Sequence, residues 1–553
     1  MRTEQENIQI AQLLFPDVKE SVEDILKKYP KRNLHEEELV LRFAPSPTGF
    51  LHIGNVYTSL VGYLLTKKSR GLFLLRIEDT DKKREVENGI FAIVEGLKGF
   101  GIHFDEGMVN EKESEGEYGP YIQSKRINIY KAFARDLVSK GNAYLCFATQ
   151  EELEKIREKQ TSMKVRTGYY GEFAKWRDSS FEQVMGNLND GIPFVIRLYS
   201  NGNINNKINC VDLIKGGVTI SENDMDTVLL KSDGLPTYHF AHPIDDTLMG
   251  ITYVIRGEEW FSSQALHMEI FKALGFEQLL YAHISPLMKM ADGGKRKLSK
   301  RKDPEAAVSF YLENGFPIEG VKEYLLNIAN SNFADWRIQN PEKEILEFDL
   351  KLEKLNKAGA LFDITKLNDV CKEYVSRLSA KQVYEYTLEW AKEYNLDLFE
   401  RLTNHKDYCI EILNIEREGE KIRKDIVKWS DIPHQMQIFF DDIYQNIEKE
   451  SLDINPELQK NILNEYLDTF YLGDSLVEWF SKIKNIGMKN GFCVDYKEYE
   501  KEPGKYKGKI GDVAMVIRVA ITGKKQTPDL YQVIQVMGEN RIRERIKKYI
   551  NLL

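Results

Sequence analysis

Residues 1–38 are charged and polar but carry two short amphipathic stretches, Ile8 to Phe15 and Val18 to Leu26, punctuated by Pro16 and ending near Pro30. They predict two short helices in an N-terminal extension over 1–38. Glu38 to Phe43 reads as a strand, and the Pro45, Pro47 and Gly49 that follow fit neither strand nor helix, so a loop must come next. Val56, Leu60 and Leu64, with Tyr57, Val61 and Leu65 beside them, recur at helical spacing until Gly71 offers a stop. Leu72 to Ile77 is then almost continuously apolar, the pattern of a strand buried on both faces of a parallel sheet. Strand, loop, helix and strand make a βαβ unit.

A second such unit is expected from Ile251 to Ile255 and the helix-like Phe261 to Leu274, so the sheet is interrupted by what lies between. The intervening segment 118–223 mixes helical runs (Arg126 to Lys140, Gln150 to Lys159) with the strand-like Pro193 to Leu198 and reads as an inserted α+β domain. From about 320 onward long amphipathic helices rich in Leu, Ile, Lys and Glu dominate, with hardly a strand signal before Val513 to Val519. The fold class expected is α/β: a Rossmann-like parallel sheet interrupted by an α+β insertion and followed by a helical C-terminal half. The boundaries expected are 1–38, 39–117, 118–223, 224–280, 281–375 and 376–553.

Composition narrows the class. The 553 residues exceed what one hydrophobic core supports. With 42% hydrophobic and 29% charged residues the chain is one that folds. The polar N-terminus lacks the apolar core of a secretory signal, no apolar run approaches ~20 residues, and a cytoplasmic protein away from membranes is expected. Five scattered cysteines without a C-x-x-C pair indicate neither a disulfide framework nor a thiolate metal cluster. A net charge of -9 argues mildly against a nucleic-acid partner, but Lys295 to Lys297, Lys300 to Lys302 and Arg541 to Lys548 are local basic concentrations that keep RNA open.

Three segments carry chemistry. Pro45 to Asn55 joins a buried strand to a helix N-terminus, the place where a parallel sheet receives ligands and helix N–H groups attract phosphate. His52 would face a triphosphate there and Gly54 would admit a nucleotide close to the backbone, although a single loop His or Gly is more often structural. Arg76-Ile77-Glu78-Asp79-Thr80-Asp81 sets three carboxylates at the C-terminal end of a strand, which alone reads as a solvated turn with an N-cap. Gly293 to Arg301 is a glycine-bearing basic loop, which alone reads as surface. No G-x-x-x-x-G-K-[ST] or G-x-G-x-x-G motif is present.

Read together, Arg42 to Gly49 with His52-Ile53-Gly54-Asn55 resembles the HIGH region of class I aminoacyl-tRNA synthetases in its glutamate form. Lys297-Leu298-Ser299-Lys300-Arg301 resembles that superfamily's KMSKS signature. The fourth position of the first signature is Asn55 rather than His. The resemblance implies ATP-dependent activation of L-glutamate, with Mg²⁺, and transfer to the 3′-terminal adenosine of tRNA(Glu); a glutaminyl-tRNA synthetase and a non-catalytic RNA-binding paralogue are the alternatives. It implies catalytic roles for His52, Gly54, Lys297, Ser299 and Lys300. ATP contacts fall on His52, Gly54, Leu287, Met288 and Lys300, and glutamate contacts on Arg42, Ser46, Glu78, Tyr238 and Arg256. Arginine suits the last task because its planar fork matches a carboxylate. His242 falls where some relatives use Asn near the substrate. The insertion would hold the tRNA acceptor end and the helical region after 375 would read the anticodon, in a monomer that binds no DNA. Relatives with a zinc site carry a Cys cluster in the insertion, whereas Tyr144 to Thr149 offers only Cys146, so no structural zinc is expected.

Overall fold

The structure is a computed structural model that describes residues 2–49, 51–291, 293–299, 301–419 and 422–553. The chain divides into two compact units, one of residues 1–311 with 322–363 and the other of 312–321 with 364–553.

The first unit is built on parallel strands. Strand β1 (Val40–Phe43) leads through the Pro-rich loop into helix α1 (Ile53–Ser69), and β2 (Leu72–Leu75) pairs parallel to β1, with Val40 opposite Leu72. Strand β3 (Glu106–Met108) extends that edge in parallel. After the intervening segment come helix α2 (Tyr238–Leu248), β4 (Tyr253–Gly257), helix α3 (Gln264–Leu274) and β5 (Leu280–Ile284), with β4 and β5 parallel. A backbone bond from Thr252 N to Val40 O at 2.9 Å joins the two halves beside β1. The resulting order β3-β2-β1-β4-β5 reverses direction between β1 and β4, and in such sheets ligands bind in the crevice at the carboxyl ends of the strands flanking that point.

Both strand signals of the first βαβ unit coincide with strands, but the helix between them stops differently. Arg70, not Gly71, takes the left-handed conformation at φ 58°, while a Cβ on Gly71 would lie 1.9 Å from Leu39 O. Gly71 is therefore required for the chain to re-enter the sheet against Leu39. The N-terminal helices run Glu4–Leu13 and Val22–Lys28, each opened by a capping box, Thr3 with Glu6 and Ser21 with Asp24, whose polar signal apolar periodicity does not register.

Between the halves, Ala143–Cys146, Val195–Leu198 and Val228–Leu230 form an antiparallel sheet. The hairpin Lys207–Asp212 with Gly216–Ser221 leaves that sheet and docks instead on β5, Asp212 opposite Tyr281.

The second unit is helical. Here the strand signal at Val513 to Val519 is overturned, because the segment lies within the helix Ile510–Thr522. Val513, Val516, Ile517, Ala520 and Ile521 are fully buried, a spacing of three and four that only a helix satisfies. Burial on that scale outweighs the modest strand preference of β-branched residues. The basic run near the C-terminus sits on the helix Glu539–Leu552, and two of its arginines tie that helix to neighbouring segments of the unit. Arg543 donates to the carbonyls of Leu467 and Phe470, and buried Arg545 to those of Ile438 and Ile521 and to Asp441. No described helix is long and apolar enough to cross a membrane.

Under the sheet of the first unit lies a buried charge lattice. Asp245 on α2 accepts from Arg126 Nε at 2.7 Å, Tyr130 OH at 2.7 Å and Gln123 Nε2 at 2.9 Å. Removing one partner of such a pair leaves a buried charge uncompensated. Asp245→Asn is accordingly expected to destabilise the first unit by about 3–5 kcal/mol; urea unfolding followed on that unit checks this, and a midpoint equal to wild type would refute it.

Candidate active site

The carboxyl ends of β1 and β4 open on a cavity of about 670 Å³. Arg42, Ser46, His52, Gly54, Glu78, Tyr238, Arg256, Leu287, Lys297 and Ser299, ten of the residues expected from the sequence, line it. Met288 is not among the lining residues, and Lys300 lies outside the described residues. The carbonyls of Leu287 and Met288 already accept from Leu298 N at 2.9 Å and Phe362 N at 2.7 Å.

His52 is the N-cap of α1. Its Nδ1 accepts from Gly54 N–H at 2.9 Å, and Asn55 Oδ1 accepts from His52 N–H at 3.3 Å, which closes a capping box. With Nδ1 accepting, the neutral ring carries its proton on Nε2. A Cβ at Gly54 would come within 3.1 Å of Nδ1, so the glycine makes room for the imidazole itself. Asn55 thus has a definite role in place of the signature His: it caps the helix.

Two guanidinium groups reach the cavity by different means. Arg42 Nε donates to both oxygens of Asp246 at 3.2 Å, and its Nη1 donates to Ile255 O at 3.1 Å. Arg76 Nη1 reaches the same carboxylate at 2.5 Å and its Nη2 donates to Glu78 Oε1 at 3.1 Å. Burial would raise the Asp246 carboxyl, but Arg42 and Arg76 together hold it well below the usual range. Burial pushes Glu78 up, with Arg76 and Arg42 opposing. Arg256 has neutral partners instead. Its Nε donates to His283 Nε2 at 2.9 Å, and Nη1 lies 3.2 Å from Tyr238 OH and 3.0 Å from His267 Nδ1. Nη2 reaches Trp260 O at 3.3 Å.

The basic loop is the hairpin Leu287–Ala291 with Gly294–Lys297. Its far end is pinned by buried Asp303, which takes Arg296 in a fork at 2.6 and 2.7 Å and Ser299 N–H at 3.0 Å. Lys297 is 61% exposed and lies 3.8 Å from Glu259.

A helix N-terminus, a pair of buried arginines, a carboxylate and a cationic hairpin around one cavity can seat an anion chain beside an amino acid. Residues 38–369 match the family model described as tRNA synthetases class I (E and Q), catalytic domain, and residues 501–550 match an anticodon binding domain. The chain belongs to the class I tRNA synthetases of the E and Q group. This synthetase is 46% identical to a glutamate–tRNA ligase of Clostridium perfringens (strain SM101 / Type A) over 98% of its own length and 99% of that protein. It is 45% identical to one of Acetivibrio thermocellus over 98% and 99%. Among solved structures it resembles a glutamate tRNA ligase from Elizabethkingia meningosepticum in complex with its amino acid, with a TM-score of 0.74 and 28% identity over 94% of this chain and 100% of that one.

Several residues of the synthetase's cavity were not legible beforehand. Glu259, Trp260 and Ser285 line it, and Asp246, Asp212, His267 and His283 stand behind it. The adjacent aspartates of α2, lying at positions a helix of this apolar pattern would bury, are the one available signal; Asp212, on the hairpin, has none. Among the described residues no group of three or more His, Cys, Asp or Glu could hold a metal ion. In the second unit a polar cavity of about 510 Å³ is lined by Arg423, Gln435, Gln437, Lys524, Gln526 and Thr527, among others.

Burial pushes the His239 and His242 imidazoles down to about 4. In the unfolded chain they charge near the ordinary value of ~6.5. Their contribution to stability is therefore complete above ~6.5 and is lost as pH falls toward 4, because the unfolded state binds the protons first. Melting temperature is expected to fall across that window, and His242→Asn to flatten the fall; thermal melts from pH 7.5 to 4.5 that run parallel for the two proteins would contradict it.

Proposed function

We propose that this chain is a glutamate–tRNA ligase that activates L-glutamate with ATP and esterifies the adenosine terminus of tRNA(Glu). An oxygen of the glutamate α-carboxylate attacks the α-phosphorus of ATP, the bond to the bridging oxygen breaks and pyrophosphate leaves with its electrons. The 2′-hydroxyl of the terminal adenosine then attacks the adenylate carbonyl, loses its proton and expels AMP. The observation that carries the reading is that Arg42, Glu78 and Arg256 line the same cavity as His52 and Lys297.

In this reading Arg42 and Arg256 receive the substrate's carboxylates, Glu78 its ammonium group, and Ser46 and Tyr238 further polar contacts. His52 and the α1 N-terminus face the triphosphate, Gly54 gives His52 its place, and Leu287 and Met288 offer backbone to adenine. Lys297, Ser299 and Lys300 stabilise the departing pyrophosphate, whose charge grows as the bond breaks. The contribution is positioning and preorganised charge, with no general base assigned. Mg²⁺ would arrive on the nucleotide, since it binds chiefly through substrate phosphates and keeps its waters; no structural zinc is needed. The segment 118–223 would receive the acceptor end. The second unit would read the anticodon, a proposal supported by the match at 501–550. Likeness to the family also supports a cytoplasmic monomer.

Pyrophosphate exchange with glutamate or glutamine, each with and without tRNA, tests the reading. Exchange is expected with glutamate and only when tRNA is present; none under any condition would leave a paralogue without catalysis, and exchange with glutamine alone would replace the substrate. Lys300→Ala is expected to slow activation by roughly 10²–10³-fold, the size seen for one preorganised donor, while the dissociation constant for tRNA stays within about threefold. Weakened tRNA binding with unchanged chemistry would contradict the role given to Lys300.

A further inference from the structure

Arg256 is 5% exposed, yet among the described residues no carboxylate forms an ion pair with it. Its tightest contact is at Nε, 2.9 Å from His283 Nε2, whereas Nη1 and Nη2 reach Tyr238 OH, Trp260 O and Gln264 Oε1 at 3.2, 3.3 and 3.5 Å. The guanidinium is anchored at its stem end, and its terminal nitrogens rest on neutral acceptors that a carboxylate, with shorter charge-assisted bonds, displaces.

The anchor works only if His283 presents a bare Nε2. Asp212 enforces that. Its Oδ2 lies 2.7 Å from His283 Nδ1 and accepts the His283 backbone N–H at 3.1 Å, while Oδ1 accepts Ile214 N–H at 2.9 Å and Lys215 N–H at 2.7 Å. The Nδ1 proton is thereby committed to Asp212 and the neutral tautomer has its lone pair on Nε2, aimed at Arg256. The hairpin that carries Asp212 is fastened a second time, Lys215 Nζ donating to Glu258 Oε2 at 2.9 Å, two residues from Arg256. His267 repeats the arrangement on the other side. Its Nδ1 faces Arg256 Nη1 and its Nε2 lies 3.0 Å from His239 Nδ1, so a proton on Nε2 can be donated to His239. Burial holds both His267 and His283 below the ordinary imidazole range, consistent with neutral rings.

We propose that Asp212 and His283 are positioning residues for amino-acid selection: Asp212 fixes the His283 tautomer, and His283 orients Arg256 without neutralising it, so that its charge is reserved for the substrate's side-chain carboxylate. This rests on the reading that Arg256 receives that carboxylate. An Asp or Glu in direct contact with Arg256 would satisfy the cation and blunt the preference for glutamate over glutamine. A neutral imidazole held from behind positions it and leaves the charge unspent.

The test is tRNA-dependent pyrophosphate exchange by the full chain and by Asp212→Asn, His283→Leu and His283→Gln, with melting temperatures to establish folding. Exchange by the wild type with glutamate tests the underlying reading, and its absence would count against that reading. Given an active wild type, Asp212→Asn and His283→Leu are expected to raise KM for glutamate about tenfold, the scale of one hydrogen bond to a charged group, and to narrow glutamate-over-glutamine selectivity. KM for ATP should stay within about twofold. His283→Gln, whose amide oxygen can accept from Nε, is expected to recover most of the loss. Folded Asp212→Asn and His283→Leu proteins with unchanged KM for glutamate would overturn the proposal. So would equal loss for glutamate and ATP with no recovery in His283→Gln, the pattern of a purely structural role.

Discussion

Asp246 is the carboxylate on which the first unit turns. It lies fully buried on α2 and accepts from Arg42 at the end of β1, from Arg76 just past the end of β2, and stands 2.5 Å from His242 Nδ1. Burying four ionisable groups together is costly unless each is paired and hydrogen-bonded, and a pair earns its stability only through geometry. Burial works against the Arg76 cation, but Asp246, Asp245 and Glu78 hold it well above its ordinary range. The lattice therefore demands that β1, β2 and α2 meet in one arrangement, since any other leaves a charge in a low-dielectric interior. That demand places the carboxyl ends of two neighbouring strands, and the side chains they carry, at a defined separation over the cavity.

The same lattice gives the two cavity arginines different duties. Arg42 shares its charge with Asp246 and is locked to the carbonyl of Ile255, so it ties β1 to β4 at the point where the sheet reverses. Arg256, one residue further along β4, is surrounded by rings: it lies 4.3 Å from the face of Tyr281 and contacts His283, His267 and Tyr238. Aromatic faces and neutral imidazoles stabilise a cation without cancelling it. One arginine is chiefly architectural on its inner side, whereas the other is held by partners that leave its charge uncancelled.

What could be read from the sequence was what lies close together along it. Pro45 to Asn55 and Lys297 to Arg301 are contiguous, so residue type and order along the chain suffice to single them out. The partners behind the site are not contiguous: Arg42 meets Asp246 some two hundred positions away, and His283 meets Asp212 across seventy. No local spacing encodes such a meeting. Charge counting has a related limit. The cations near the C-terminus kept an RNA partner open as a group, yet their duties differ: Arg543 and Arg545 donate to helix-end carbonyls of their own unit, whereas Lys547 and Lys548 are exposed. The helix at Ile510–Thr522 was hidden by its own residue types, because valine and isoleucine imitate a strand until their three-and-four spacing is weighed.

The basic hairpin shows why a run of like charges is not a uniform patch. Arg296 is spent on Asp303, and Lys289 on Glu305 and Asp303, so these two cations hold the loop rather than offer charge. Asp303 also takes the Ser299 N–H, and the basic side chains facing it keep its carboxyl far below the usual range. Lys297, on the neighbouring position of the same strand, lies 3.8 Å from Glu259 and stays mostly in solvent. Such an exposed pair contributes little, so the cation can exchange its partner for a phosphate at small cost. Alternation along the strand thus separates the two tasks: one face of the hairpin is fixed to the body of the unit, and the other carries the charge that can move.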